Sequence, residues 1–172
     1  MNIKEKIVAE HSKFQTILIA NYIGQDKKRF ETLLKLFLGN DYIISQRAAW
    51  IVSHCAEKNP NLVKPYLGKL IRNLKRKDLH NAVKRNTIRL FQYTEIPRSL
   101  LGDLTNLCFS YLTNVKESIA VKAFSMTVLV NISRREPELK TEIKLVIQGM
   151  LPYGSAGIRA RGKKVLKALE KL

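Results

Sequence analysis

The sequence predicts an all-α chain built as a solenoid of helical hairpins, and three observations carry the prediction. Apolar residues recur three and four positions apart through nearly the whole chain, the spacing that gathers them on one face of a helix. No segment alternates apolar and polar residues as a half-buried strand would. Alternate helices share a pattern that returns every 37 to 38 residues, so each interval holds two helices.

Taken in order, the helices are expected at residues 2–22, 27–38, 42–58, 61–76, 80–95, 98–113, 117–135, 138–149 and 156–171. The breaks have their own chemistry. Asp41 and Asp78 stand just before helices, where a carboxylate accepts from the amides that the first turn leaves without partners. Pro60, Pro97 and Pro137 follow helices they cannot extend, because proline has no N–H and its ring clashes with the preceding turn. Residues 1–26 read as an incomplete capping unit. Hairpins are expected at about 27–59, 60–96, 97–136 and 137–172, all in one domain spanning 1–172.

The period shows in the second helix of each hairpin. The segments QRAAWIVSHC, VKRNTIRLFQ, VKAFSMTVLV and IRARGKKVLK each open with a residue followed by a cation. Those cations, Arg47, Lys84, Lys122 and Arg159, are 37, 38 and 37 residues apart. A core-type face follows each, such as Ile88 and Phe91, Met126 and Leu129, or Val165 and Leu166. Trp50 fills a position that is small elsewhere, at Thr87, Ser125 and Gly162. A single hairpin of this size has too little core to stand alone and must stack on its neighbours.

An Asp precedes the cation by six residues twice, Asp41 before Arg47 and Asp78 before Lys84, while Lys116 and Tyr153 hold that place later. On these residues, over about 27–172, the chain resembles the HEAT-repeat (armadillo-like helical) family. That resemblance implies a right-handed α-solenoid in which Asp41 pairs with Arg47 and Asp78 with Lys84. The strings QRAAW, AVKRNTIRL, AVKAFSMTVL and MLPYGSAGIRARGKK further resemble short bacterial HEAT proteins. Similar sequences sometimes carry the label adenylosuccinate lyase. It implies a much longer chain with a Ser- and Lys-bearing catalytic loop, neither of which this sequence has, and the label is rejected.

Composition excludes several classes. With 172 residues, 45% of them hydrophobic and evenly spread, the chain has material for a core without a metal or disulfide staple. Cys55 and Cys108 are isolated among helix-patterned apolar residues and read as reduced core residues. No apolar run approaches the roughly 18 residues that would span a bilayer. The opening MNIKEKIVAEHSK is charged where a secretion signal needs an apolar stretch, so a cytoplasmic location is expected.

Chemistry-bearing constellations are sparse, and no catalytic, metal or cofactor site is expected. His11, His54 and His80 fall on separate helices or helix starts, and the adjacent His54 and Cys55 point about 100° apart around one helix. No Gly-x-Ser-x-Gly elbow occurs. One enzyme analogy is open: some HEAT-repeat proteins are DNA glycosylases with an Asp and aromatic residues in a basic groove, roles in which Trp50 and Asp103 are the candidates.

The extreme feature is the formal net charge of +17, spread along the chain and not confined to a tail. A positive field of this size attracts polyanions without choosing among them. Lys69, Arg72 and Arg76 lie at i, i+3 and i+7, one helical stripe, and Lys75, Lys77, Lys84, Arg85 and Arg89 continue the charge. Arg85 and Arg89 share a face by spacing. In the last segment, Gly154, Ser155 and Gly157 precede Arg159, Arg161, Lys163 and Lys164. Such a start either presents free amides to an anion or is closed by a Ser155 cap. The expectation is a non-catalytic scaffold that contacts nucleic acid or a nucleoprotein assembly. An adaptor for an acidic protein is the alternative, and the glycosylase ranks third. No small-molecule substrate is expected.

Overall fold

A computed structural model describes all residues, 1–172. The chain is helical throughout, with α1 (Ile3–Ala9), α2 (Lys13–Ile23), α3 (Lys27–Phe37), α4 (Tyr42–Lys58), α5 (Pro60–Val63), α6 (Leu67–Leu74), α7 (Asn81–Phe91), α8 (Arg98–Thr113), α9 (Ile119–Ser133), α10 (Lys140–Met150) and α11 (Ala156–Leu169). Single 3-10 turns at Lys64–Tyr66 and Pro137–Leu139 precede α6 and α10. No helix is long and apolar enough to cross a membrane. The chain divides into two compact units, Met1–Glu95 and Ile96–Leu172.

Two expected helices are broken, each for a local reason. The helix expected over 2–22 stops at Ala9 and restarts at Lys13. Ser12 Oγ accepts from Gln15 N at 3.1 Å, and the buried Gln15 side chain donates to Lys6 O at 2.7 Å, so it serves an α1 carbonyl that a continuous helix would have satisfied itself. The helix expected over 61–76 becomes α5, the 3-10 turn and α6. Pro65 has no amide to continue the ladder.

In the first unit α4 is the central helix, packing on α1, α2, α3, α5 and α7. Its small buried residues Ala48, Ala49, Ser53 and Ala56 let neighbours approach on several sides. Phe30, Phe37 and Phe91, on the neighbouring α3 and α7, are fully buried, as are Leu67, Leu70 and Ile71 on α6. Each such side chain contributes roughly 1.5–3 kcal/mol by leaving water.

In the second unit α9 holds the centre, against α8, α10 and α11. Val121, Met126, Val128, Leu129, Val130 and Ile132 are buried around most of its circumference, as befits a helix covered on several sides. The position that repeats as Thr87, Ser125 and Gly162 is buried in each case, whereas Trp50, its first occurrence, is half-buried. Gly162 shows why the place is small: a Cβ there would lie 2.6 Å from Leu151 Cδ2 and 3.2 Å from Ile147 Cγ2.

Candidate polyanion-binding surface

Residues 64–94 carry nine Lys and Arg against one acid, Asp78. Their placement follows from the apolar pattern. On α6, Leu67, Leu70, Ile71 and Leu74 turn inward, which leaves Lys69 and Arg72 exposed three residues apart on the outer face. Arg76 does not extend that stripe. The helix ends at Leu74, and beyond it Arg76 Nε and Nη2 donate to the two Asp78 carboxylate oxygens at 3.3 and 3.0 Å. Those hydrogen bonds hold the Asp78 carboxyl below its ordinary range.

Three further expectations are corrected. Asp78 is turned to Arg76 rather than to Lys84, and it does not cap α7, whose Ala82 amide donates to His80 Nδ1 at 3.1 Å. Asp41 does cap α4, accepting from Ile44 N at 3.0 Å, but it does not pair with Arg47. Arg47 Nη1 instead donates to Ile7 O at 3.2 Å and Val8 O at 2.7 Å, across 40 and 39 residues of sequence. For Asp41 and Arg47 the reason is that a capping carboxylate turns into its own helix, while the last carbonyls of α1 offer a guanidinium both unpaired acceptors and the negative end of a helix dipole. For Asp78 the guanidinium of Arg76, two residues away, is the nearer partner.

Arg85 and Arg89 are separated by their surroundings despite their spacing. Arg85 is exposed on α7, whereas the half-buried Arg89 donates from Nη2 to Glu57 Oε2 on α4 at 3.1 Å. Lys64 and Lys77 are exposed as well. Lys64 is the cation that sequence spacing missed, because the 3-10 turn carrying it was expected to be ordinary helix.

The second cluster divides in the same way. Ser155 Oγ accepts from Ile158 N at 3.4 Å, so the start of α11 is capped by its own side chain. Arg159 Nη1 donates to Gly154 O at 2.6 Å, and the half-buried Arg161 donates from Nη1 to Thr127 Oγ1 on α9 at 2.7 Å. Lys163 and Lys164 stand in water. Of the candidate cations, Lys69, Arg72, Arg85, Lys163 and Lys164 are therefore presented to solvent. Arg76, Arg89, Arg159 and Arg161 are held by groups of the fold, and Lys84 is half-buried. Trp50 is half-buried on α4 and Asp103 exposed on α8.

Exposed apolar side chains form a feature that spacing did not reveal. Val115, Ile119, Leu145 and Tyr153 are all exposed and line one cleft of the second unit. Val115 and Tyr153 carry the only available sequence signal, since both fall in interhelical turns, where large apolar residues have no core to join.

A family model described as HEAT repeat domain matches residues 3–169. No curated protein and no solved structure matches the chain.

Proposed function

Since this chain belongs to the HEAT-repeat family, a family of helical-repeat scaffolds, we propose that it is a non-catalytic member whose basic exterior binds nucleic acid or a nucleoprotein assembly. One observation carries the reading. After the internal pairs of Arg76 and Arg89 are set aside, Lys64, Lys69, Arg72, Lys77 and Arg85 remain exposed in a stretch whose single acid is already engaged. Solubility does not require so concentrated a charge.

Phosphate oxygens accept from such cations without regard to base sequence, so the contact gives affinity and position but not sequence choice. If three to five of these cations meet phosphates, the slope of log affinity against log salt is about −2 to −3.5 on a single strand and about −3 to −4.5 on a duplex. Titrating a labelled 30-nucleotide DNA or RNA at increasing salt measures it. The triple variant Lys69→Glu, Arg72→Glu, Arg85→Glu is expected to abolish retardation at low salt while leaving the helical signal unchanged. Failure of the wild type to retard either nucleic acid at low salt refutes the reading.

An adaptor for an acidic protein is the second reading, favoured by the apolar side chains left in water around the cleft of the second unit. A complex recovered by pull-down that resists high salt would select it.

A further inference from the structure

The two units carry clefts at equivalent places in the repeat. In the first unit the cleft lies between the α3–α4 turn and the α6–α7 turn, and in the second between the α8–α9 turn and the α10–α11 turn. A shift of 75 residues, two repeats, converts one lining into the other: Asn40 to Val115, Tyr42 to Glu117, Asp78 to Tyr153 and His80 to Ser155. The frame is the same and the chemistry differs.

The first cleft is occupied by its own side chains. Tyr42 and His80, one from each wall, meet edge to face with ring centroids 4.6 Å apart, and Arg76 and Asp78 pair beside them. About 240 Å³ remains. In the second cleft the ring pair is replaced by Glu117 and Ser155, and the space is about 580 Å³. Around it Val115 is 91% exposed, Tyr153 94%, Leu145 64% and Ile119 51%. Large apolar side chains gathered in water around one concavity mark an interaction site.

Charge selects the kind of occupant. The charged residues exposed next to the lining are cations, Lys116, Lys144 and Arg159, the last already donating to Gly154 O, and Lys122 lies on the lining itself. The lining has one acid, Glu117, whose carboxylate accepts from Ser118 N at 2.9 Å. A second copy of a chain with net charge +17 is repelled from such a rim. Nucleic acid suits the rim but not the floor. Leu112, Val146, Met150 and Ile158 offer an aliphatic surface without the hydrogen-bonding groups that hold a base edge. An apolar side chain flanked by carboxylates satisfies both.

We infer that the cleft of the second unit receives an aromatic or large aliphatic side chain from a short acidic segment of a partner protein, in the place where the first unit uses its own Tyr42–His80 pair. The inference rests on the adaptor reading and gives it a site and a partner chemistry. The rim cations position the segment, and apolar burial in the cleft supplies the salt-resistant part of the affinity.

Random 12-residue peptides displayed on phage and selected against the full chain provide the test, with the double variant Val115→Glu, Leu145→Glu selected in parallel. Both positions are exposed, so the variant keeps the fold, and a matching far-UV circular dichroism spectrum verifies that. Wild-type protein is expected to enrich sequences in which Phe, Trp, Leu or Tyr is flanked by Asp or Glu. The best of these, synthesised with a fluorophore, is expected to bind the double variant at least about tenfold more weakly, since a buried carboxylate would replace apolar contact. Enrichment of no sequence, or of sequences lacking either element, overturns the inference. Equal binding by the double variant overturns the cleft while leaving a protein-binding role elsewhere intact. A single-stranded DNA whose own affinity falls by the same factor in the variant overturns the peptide assignment in favour of nucleic acid.

Discussion

Replacing Gly154 by alanine tests whether the α10–α11 turn is shaped by the space it lacks. A Cβ at this position would lie 2.7 Å from Ile158 Cγ2 and 2.9 Å from the Met150 carbonyl oxygen. The second contact decides the outcome. A side-chain methyl can rotate aside, but Met150 O is backbone at the end of α10 and moves only if the turn moves. Overpacking of this kind costs roughly 1–3 kcal/mol, offset by about 0.4–1 kcal/mol from a less flexible unfolded chain. The ranges leave a net loss of up to about 2.6 kcal/mol, and because the clash is with backbone a loss in the upper part, about 1.5–2.5 kcal/mol, is expected, or about 3–10 °C in melting temperature for a chain of this size. Gly102 on α8 provides the matched control: nothing lies within 4 Å of its added Cβ, so alanine there stabilises by about 0.5–1 kcal/mol. Thermal and urea unfolding followed by far-UV circular dichroism reads both variants. A Gly154→Ala protein at least as stable as wild type would refute the packing argument, and Gly102→Ala shows what the same methyl does where space is open.

Three other predictions follow from named contacts. Arg47→Ala is expected to cost about 1.5–3 kcal/mol, because it strips charge-assisted hydrogen bonds from the end of α1, and Asp41→Ala about 1 kcal/mol as a lost cap. In a double-mutant cycle the two should add within about 0.5 kcal/mol, and a larger coupling would restore the ion pair that the structure does not show. Burial pushes the Cys55 and Cys108 thiols up to about 12, so neither should react with a disulfide reagent at pH 8 until the chain unfolds. In the unfolded chain the same thiols ionise near their ordinary value of 9.0, so it sheds protons that the folded state keeps. Their contribution is therefore complete below pH 9 and declines as pH rises from there towards 12, which urea midpoints across that range would measure. Acetylating the lysines removes their charge, whereas reductive methylation keeps it. Acetylation alone is expected to abolish nucleic-acid retardation, and equal retardation after both treatments would sink the phosphate-contact reading.

The helical elements were largely legible because their causes are local. The expected spans 42–58 and 98–113 coincide with α4 and α8, whose limits are set by a capping Asp41, by Asn59 before Pro60 and by Pro97. The 2–22 span was not divisible by spacing, since the break depends on a buried Gln15 reaching back nine residues to Lys6 O. The candidate site was legible only as composition. Spacing places Arg85 and Arg89 on one face of α7, but whether a cation meets water depends on what packs across from it, and Glu57 lies on another helix. The six-residue Asp patterns are present in the sequence, yet Asp41 and Asp78 each find a nearer donor, the amide of Ile44 and the guanidinium of Arg76.

The cations divide by type, and that division bears on what the exterior recognises. Arg29, Arg47, Arg135 and Arg159 donate to backbone carbonyls, at Tyr22, at Ile7 and Val8, at Ile96 and at Gly154. Arg76 and Arg89 bind carboxylates, and Arg161 binds a hydroxyl. The planar fork, with several donors at fixed angles, suits such internal carbonyl contacts. The cations standing in water are mainly lysines, Lys64, Lys69, Lys77, Lys163 and Lys164, with Arg72 and Arg85 among them. Lysine is a compact, well-hydrated point charge on a flexible stem, and it lacks the planar fork that grips one phosphate in a fixed orientation. A surface built this way attracts polyanions by charge density and discriminates little among their sequences. On the proposed reading, selectivity then falls to the second unit's apolar cleft, whose lining differs in chemistry from that of its counterpart in the first unit.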